Sequence, residues 1–399
     1  MPSECFIFFD NPNGVFYTGS SVSGRFELVT TTSKRIRGIV VRITGNANVC
    51  WEEEYTEKEN GKEVTKFREY TNHQSYLNYE NFVLGSQYAI EFDLNPGTYN
   101  YTFNCELPAN LPSSFTGRYG EIIYEVCVEI DRADLAYNNK FKQAFTVIYL
   151  LDLNVNPDYR QPKSTIDEVS YTCCSCFFGS GVVEAEITIP YGGFVSGQDI
   201  PYKLLVTNDT NSDIDDISKV ELVRKVTFES ETPESEFKYR EVSLDEKQVG
   251  KILRLSKKQF ENTLEVPTAP PTTPKNFGCC IRIEYFIKVG IVTACCASNL
   301  VLNLPITIGS VPITNSEGLS EITLHQPASQ RWEETAVGSL RNLDLPPRYT
   351  GPPSYEEAKK LSEDFEKKRK GIDKQFEFAP KYPTYFNYRE PTAPIENNI

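Results

Sequence analysis

Two short motifs near the end of this 399-residue chain carry its most specific chemistry: Pro346-Pro347-Arg348-Tyr349 and Pro352-Pro353-Ser354-Tyr355. Paired prolines fix φ and bias the backbone to polyproline II, so such a segment can enter an aromatic-lined groove at little ordering cost. The tyrosine ring fills a pocket while the prolines stack beside it, the mode in which WW domains read Pro-rich ligands. The chemistry is recognition rather than bond making. Equivalent residues of the two copies are six positions apart. That is about 19 Å at roughly 3.1 Å per residue, close enough that two bound domains crowd each other and rebinding is the expected source of added affinity.

Other tail residues stand ready for the same purpose. Tyr355 opens a stretch to Lys370 in which Ala358, Leu361 and Phe365 share one helical stripe, with acids early and bases late as the helix dipole prefers. The spacing predicts a short helix over 355–370. Its Lys359, Lys360, Lys367, Lys368 and Lys370 lie just past the docking tyrosines, where a tethered enzyme would meet their amines at high effective concentration.

A body must present this tail. Period-two alternation marks its strands: Ile122, Tyr124, Val126, Val128 and Ile130 on one face with Glu125 and Glu129 on the other. The pattern recurs at Val183–Ile189, at Ile281–Val289 and at Ile39, Val41 and Ile43. These are half-buried antiparallel strands. Tyr17 to Leu28, with Val22-Ser-Gly24, is echoed by Tyr191 to Leu204, with Val195-Ser-Gly197; Phe115-Thr-Gly117 is echoed by Phe277-Gly278. The offsets, 173 and 162 residues, are domain-sized. The expected fold class is all-β: two tandem antiparallel, immunoglobulin-like sandwiches over 1–156 and 171–312, a linker over 157–170, and a flexible tail over 313–399.

Composition excludes several function classes. Hydrophobic residues make up 39% of the chain and Tyr plus Phe number 23 + 24 = 47, a globular, β-leaning balance. The net charge is −14; the tail from Ile313 contributes 12 − 14 = −2, leaving −12 on the body. No nucleic-acid partner is expected, because binding one needs a basic face that displaces counterions. No segment reaches the roughly 18 apolar residues of a membrane span, and the first residues lack the marks of a signal peptide. A soluble, intracellular protein is expected, touching membranes only peripherally.

Catalytic and metal readings find little support. His73 and His325 are far apart, the second in the tail, and each reads as a solvated residue. There is no Gly-rich phosphate loop or nucleophile elbow, so the enzyme alternative is reduced to a carboxylate pair assembled across the fold. Seven of the 11 cysteines cluster at Cys173, Cys174 and Cys176, at Cys279-Cys280 and at Cys295-Cys296. A strand over 281–293 would hold Cys280 and Cys295 roughly 50 Å apart at about 3.3 Å per residue, too far to share zinc. Cys295-Cys296 belong at a hairpin tip, with S-acylation as the alternative use. No cofactor or metal is expected.

Taken together, Tyr17-Thr-Gly19, Leu111-Pro-Ser-Ser-Phe115-Thr-Gly117-Arg-Tyr119-Gly120, Leu151-Asp-Leu153-Asn, Cys173-Cys174, Leu304-Pro305-Ile-Thr-Ile-Gly309-Ser-Val and the tail Pro352-Pro-Ser-Tyr355 resemble the α-arrestins, the arrestin domain-containing proteins. The resemblance implies an arrestin fold and an adaptor role. The body would hold membrane cargo, a receptor or transporter, while the tail motifs recruit WW-domain HECT-type ubiquitin ligases, for which Lys359, Lys360, Lys367, Lys368 and Lys370 are candidate ubiquitin acceptors. The protein would then be cytoplasmic, recruited to the plasma membrane and endosomes, where the cargo is ubiquitinated and sorted. Pro391-Thr392-Ala393-Pro394 is similar to motifs that recruit the ESCRT machinery; the same letters at Pro267-Thr-Ala-Pro270 precede a strand and read as structural. The alternative is an endosomal sorting scaffold that works without the ligase.

Overall fold

Strands dominate the computed structural model, which describes residues 3–59, 62–132, 139–171, 181–214, 218–292, 299–314, 348–349 and 378–385. In the first half they are β1 (Glu4–Phe9), β2 (Val15–Tyr17), β3 (Ser21–Thr30), β4 (Lys34–Ile36), β5 (Gly38–Glu59), β6 (Lys62–Gly85), β7 (Phe92–Leu94), β8 (Gly97–Glu106), β9 (Phe115–Gly117), β10 (Gly120–Asp131) and β11 (Asn139–Ile148). Sheet β1-β3-β8 forms one layer and sheet β2-β11-β10-β5-β6 the other, with β9 added to β10. The second half repeats the plan with β12 (Lys163–Tyr171), β13 (Gly181–Ile189), β14 (Gly193–Val195), β15 (Asp199–Asn208), β16 (Lys219–Glu229), β17 (Phe237–Gln248), β18 (Ser256–Glu265), β19 (Ile281–Ile291) and β20 (Leu300–Gly309). Its layers are β12-β13-β15-β18 and β14-β20-β19-β16-β17. The all-β expectation of two antiparallel sandwiches holds.

Alternation explains the cores. Tyr124, Val126, Val128 and Ile130 on β10 are fully buried, as are Phe26 and Leu28 on β3. Phe9 joins the two layers of the first sandwich, its ring meeting those of Phe16, Phe103 and Phe145 at centroid distances of 5.7, 6.1 and 5.6 Å. Each such pair adds about 0.5–1.5 kcal/mol beyond area burial.

The two halves share small devices as well as sheets. The Tyr124 hydroxyl donates to the Pro112 carbonyl at 2.7 Å, and that of Tyr285 to Pro270 at 2.6 Å. The Val147 amide donates to Ser114 Oγ, and that of Ile308 to Thr272 Oγ1. Each sandwich is closed by a parallel pair, β2 on β11 and β14 on β20. Here the repeat expected from sequence needs a correction in register. β14 follows β2 by 193 − 15 = 178 residues, so Val195-Ser-Gly197 is the counterpart of Tyr17-Thr-Gly19, not of Val22-Ser-Gly24. Positive φ at Gly19 (79°) and Gly197 (87°) marks the same turn in both halves.

Three further expectations change. Residues 163–170, expected in the linker, form all but the last residue of β12, which pairs along its length with β13; only the stretch before it, with a short 3-10 turn at Pro157–Arg160, connects the domains. Glu129, placed on a solvated face, is buried because the Arg42 and Lys140 side chains close over it as ion-pair partners. The tail from Ile313 is not uniformly free of the body: Ile313 is itself buried, and Phe378 to Tyr385 lie against both sandwiches. The helix expected over 355–370 lies outside the described residues.

Candidate functional site

The two sandwiches meet along a packed seam. Phe228 from β16 is buried against Phe115 (6.3 Å between centroids) and edge-on to Tyr119 (5.6 Å) in the first domain. The long β5–β6 hairpin reaches across, where Thr71 and Thr232 exchange backbone hydrogen bonds of 2.8 and 3.0 Å. Gln74 Oε1 accepts from the Cys280 amide at 2.9 Å, and Lys238 pairs with Glu53 at 2.7 Å. The domain junction is tied to the end of the body: the Leu153 amide donates to Val311, and Asn154 Nδ2 to Pro312.

Onto this seam the tail lays Phe378-Ala-Pro-Lys381-Tyr382-Pro-Thr384-Tyr385. Toward the first domain, Thr116 Oγ1 donates to the Phe378 carbonyl, the Lys381 amide donates to Thr146 Oγ1 (3.1 Å), and Lys381 Nζ donates to the Asn13 carbonyl. The Tyr382 hydroxyl donates to the Ser114 carbonyl at 2.9 Å. Toward the second domain, the Tyr385 amide donates to Ser196 (2.8 Å), its hydroxyl donates to Ser310 (2.6 Å), and the hydroxyls of Thr268 and Thr384 meet at 2.8 Å. Tyr382 is 5% exposed and Thr384 3%. Burial pushes the Tyr382 phenol far above its ordinary pKa, against the pull of nearby Arg224. Gly197 permits the fit, since a Cβ there would stand 2.2 Å from the Tyr385 carbonyl oxygen.

A second strand runs on the seated one. Arg348–Tyr349, from the first Pro-Pro-x-Tyr motif, pairs antiparallel with Pro383–Thr384, Arg348 opposite Thr384 and Tyr349 opposite Pro383. The motif's expected polyproline II backbone is thus a β-ladder at these two residues. The seated segment supplies the paired edge that an isolated motif lacks.

Two family models account for most of this architecture: the arrestin (or S-antigen) N-terminal domain over residues 5–154 and the arrestin C-terminal domain over 179–313. The chain belongs to the α-arrestins, the arrestin domain-containing proteins. It is similar to arrestin domain-containing protein 17 of Caenorhabditis elegans, 24% identical over 360 residues covering 86% of this chain and 78% of that one. Thioredoxin-interacting protein of Sus scrofa is 25% identical over 361 residues, 88% of this chain and 83% of its own. Arrestin domain-containing protein 4 of Homo sapiens is 25% identical over 356 residues, covering 88% and 79%.

For this α-arrestin the structure distributes the sequence-predicted residues unevenly. Of the WW-ligand residues, Tyr349 falls in the described chain; Pro346, Pro347, Pro352, Pro353 and Tyr355 lie outside it, as do the five candidate lysines and Pro391–Pro394. The earlier Pro267-Thr-Ala-Pro270 is part of the seam: Ala269 is buried on Ser196, and Pro270 holds Tyr285. Its structural reading stands. Cys279 and Cys280 are buried, their thiols pushed up to about 11 mainly by burial, while Cys173, Cys174, Cys176, Cys295 and Cys296 lie outside the described residues. His73 is exposed and contacts Asn48. Among the described residues no three His, Cys, Asp or Glu side chains gather where they could share a metal. Sequence reasoning missed the seated segment. The available signal was aromatic density: Phe376, Phe378, Tyr382, Tyr385, Phe386 and Tyr388 crowd a tail that is otherwise largely charged and polar.

Proposed function

We propose that this arrestin-domain adaptor joins membrane cargo to a WW-domain HECT-type ubiquitin ligase. The observation that carries the reading is the placement of two Pro-Pro-x-Tyr motifs, at Tyr349 and Tyr355, on the chain that follows a complete pair of arrestin sandwiches. A body of this kind offers broad sheet faces for a receptor or transporter, and the motifs offer aromatic and proline side chains to a WW groove. Recruitment would bring the ligase to cargo at the plasma membrane and endosomes from the cytoplasmic side. Lys359, Lys360, Lys367, Lys368 and Lys370 are then acceptors within reach, and Pro391-Thr-Ala-Pro394 is the proposed handle for ESCRT.

The test is titration of the full-length chain with a tandem-WW fragment of such a ligase. Binding should fall at least about tenfold when Tyr349→Ala and Tyr355→Ala are combined, because the two anchor rings of the ligand are gone. Equal affinity in parent and double variant would remove the reading. Phosphorylation of either tyrosine should weaken binding by placing charge in an apolar pocket.

A further inference from the structure

We propose that residues 378–385 are an intramolecular ligand of the inter-domain seam, and that while seated they mask the first Pro-Pro-x-Tyr motif from WW domains. The proposal rests on the reading of that motif as a WW ligand and concerns its regulation. The seat is built. It takes hydrogen bonds from or gives them to Asn13, Ser114, Thr116 and Thr146 of one sandwich and Ser196 and Ser310 of the other. Tyr382 and Thr384 are almost wholly buried there, and the positive-φ turn at Gly197 leaves room that any Cβ would fill.

The outer edge of the seated segment then holds Arg348 and Tyr349. Lys381 and Tyr385 turn their amides to the body. Alternation along an extended chain turns the amide of Thr384 the opposite way, and Arg348 is its ladder partner. A WW groove takes an extended peptide whose backbone is solvated. Residues laddered onto a strand that is itself seated on the body cannot at the same time lie in that groove. The seam and the ligase domain therefore compete for Tyr349, and an equilibrium between seated and released states sets the apparent affinity of the first motif. The ladder is made by the first motif, so on this proposal the two motifs differ in availability although their sequences are alike.

The experiment uses full-length chains with one motif each: Tyr355→Ala keeps the first, Tyr349→Ala keeps the second. A single purified WW domain is titrated into each, with and without Tyr382→Ala plus Tyr385→Ala, and into matching chains ending at Glu377. Unseating should strengthen binding to the first motif about tenfold, the gain expected if one molecule in ten is open at rest, and leave the second unchanged. By reciprocity, the WW domain should speed hydrogen exchange at the Lys381 and Tyr385 amides of the Tyr355→Ala chain. Unchanged first-motif affinity after both ways of unseating would overturn the proposal, as would equal gains at both motifs. Absence of WW binding at either motif of the unseated chain would sink the ligand reading itself, and masking with it.

Discussion

The two sandwiches carry the same turn, and among the described residues only the second meets the tail there. Gly19 and Gly197 both take positive φ just before the strand that crosses to the other layer. The nearest atom to a Cβ at Gly19 would be Ala109 Cβ at 3.9 Å, whereas at Gly197 the tail backbone stands at 2.2 Å. The tyrosine devices behind them are alike, Tyr124 on Pro112 and Tyr285 on Pro270. The two halves thus share a local solution for folding, and among the described residues the tail meets the turn of the second half and not that of the first. The halves differ in what lies on them more than in how they are built.

That equivalence can be broken most severely at the buried tyrosines. Tyr124→Ala and Tyr285→Ala should each cost about 3–5 kcal/mol in denaturant unfolding, as removal of a large core aromatic does. A difference of more than about 2 kcal/mol between them would show that the two devices are not equivalent in energy.

Alkaline titration sharpens the same comparison. Burial, with a smaller contribution from Cys279 at Tyr124, raises both phenols well above their ordinary value of 10.0. Above pH 10 the unfolded chain releases these protons while the folded chain keeps them, so stability falls as pH rises. Burial also holds Cys5 at about 12 and Cys279 and Cys280 at about 11, against an ordinary 9.0, so the decline begins near pH 9. Tyr124→Phe or Tyr285→Phe should each remove up to about 1.4 kcal/mol per pH unit from the slope above pH 10. An unchanged slope would mean that the phenol is not protected in the folded chain.

A smaller effect separates the glycines. Gly19→Ala and Gly197→Ala should each cost about 1 kcal/mol for forcing a side chain into left-handed backbone. Only Gly197→Ala should also expose the 378–385 segment to protease, since only there does the Cβ strike the tail. Equal digestion of the two variants would contradict that asymmetry. The smallest change is chemical: with iodoacetamide at pH 8, exposed Cys50 should react before buried Cys279 and Cys280, without loss of stability.

Strands buried on one face were plain in the sequence, because Ile122 to Ile130, Val183 to Ile189 and Ile281 to Val289 each place apolar residues at every second position. Strand β12 was not. Lys163-Ser-Thr-Ile-Asp-Glu-Val-Ser-Tyr171 is an edge strand with Ile166 exposed and Val169 half-buried against the core, so pairing with the backbone of β13 marks it more than any apolar alternation does. The repeat was visible but misaligned, since Val-Ser-Gly letters occur at Val22 and Val195 while the shared element is a backbone turn that letters specify only through its glycine. The Pro-Pro-x-Tyr motifs of the tail were legible. The seat for Tyr382 and Tyr385 was not, because it is made of main-chain carbonyls and small hydroxyls from loops distant in sequence, such as Ser114, Ser196 and Ser310, and no local pattern announces them.

The seam also imposes an order in time. The first sandwich can close once Ile148 has been made and the second once Gly309 has, whereas Tyr385 arrives last. At 5–20 residues per second of synthesis, the 385 − 309 = 76 residues between the last sandwich strand and the end of the seated segment take roughly 4–15 s. Both sandwiches have that interval in which to find each other before the tail reaches them. Tyr349 and Tyr355 leave the ribosome before the segment that would cover the first of them. A newborn chain therefore passes through roughly 2–7 s, the 385 − 349 = 36 residues from Tyr349 to Tyr385, before the segment that lies on both sandwiches has been made.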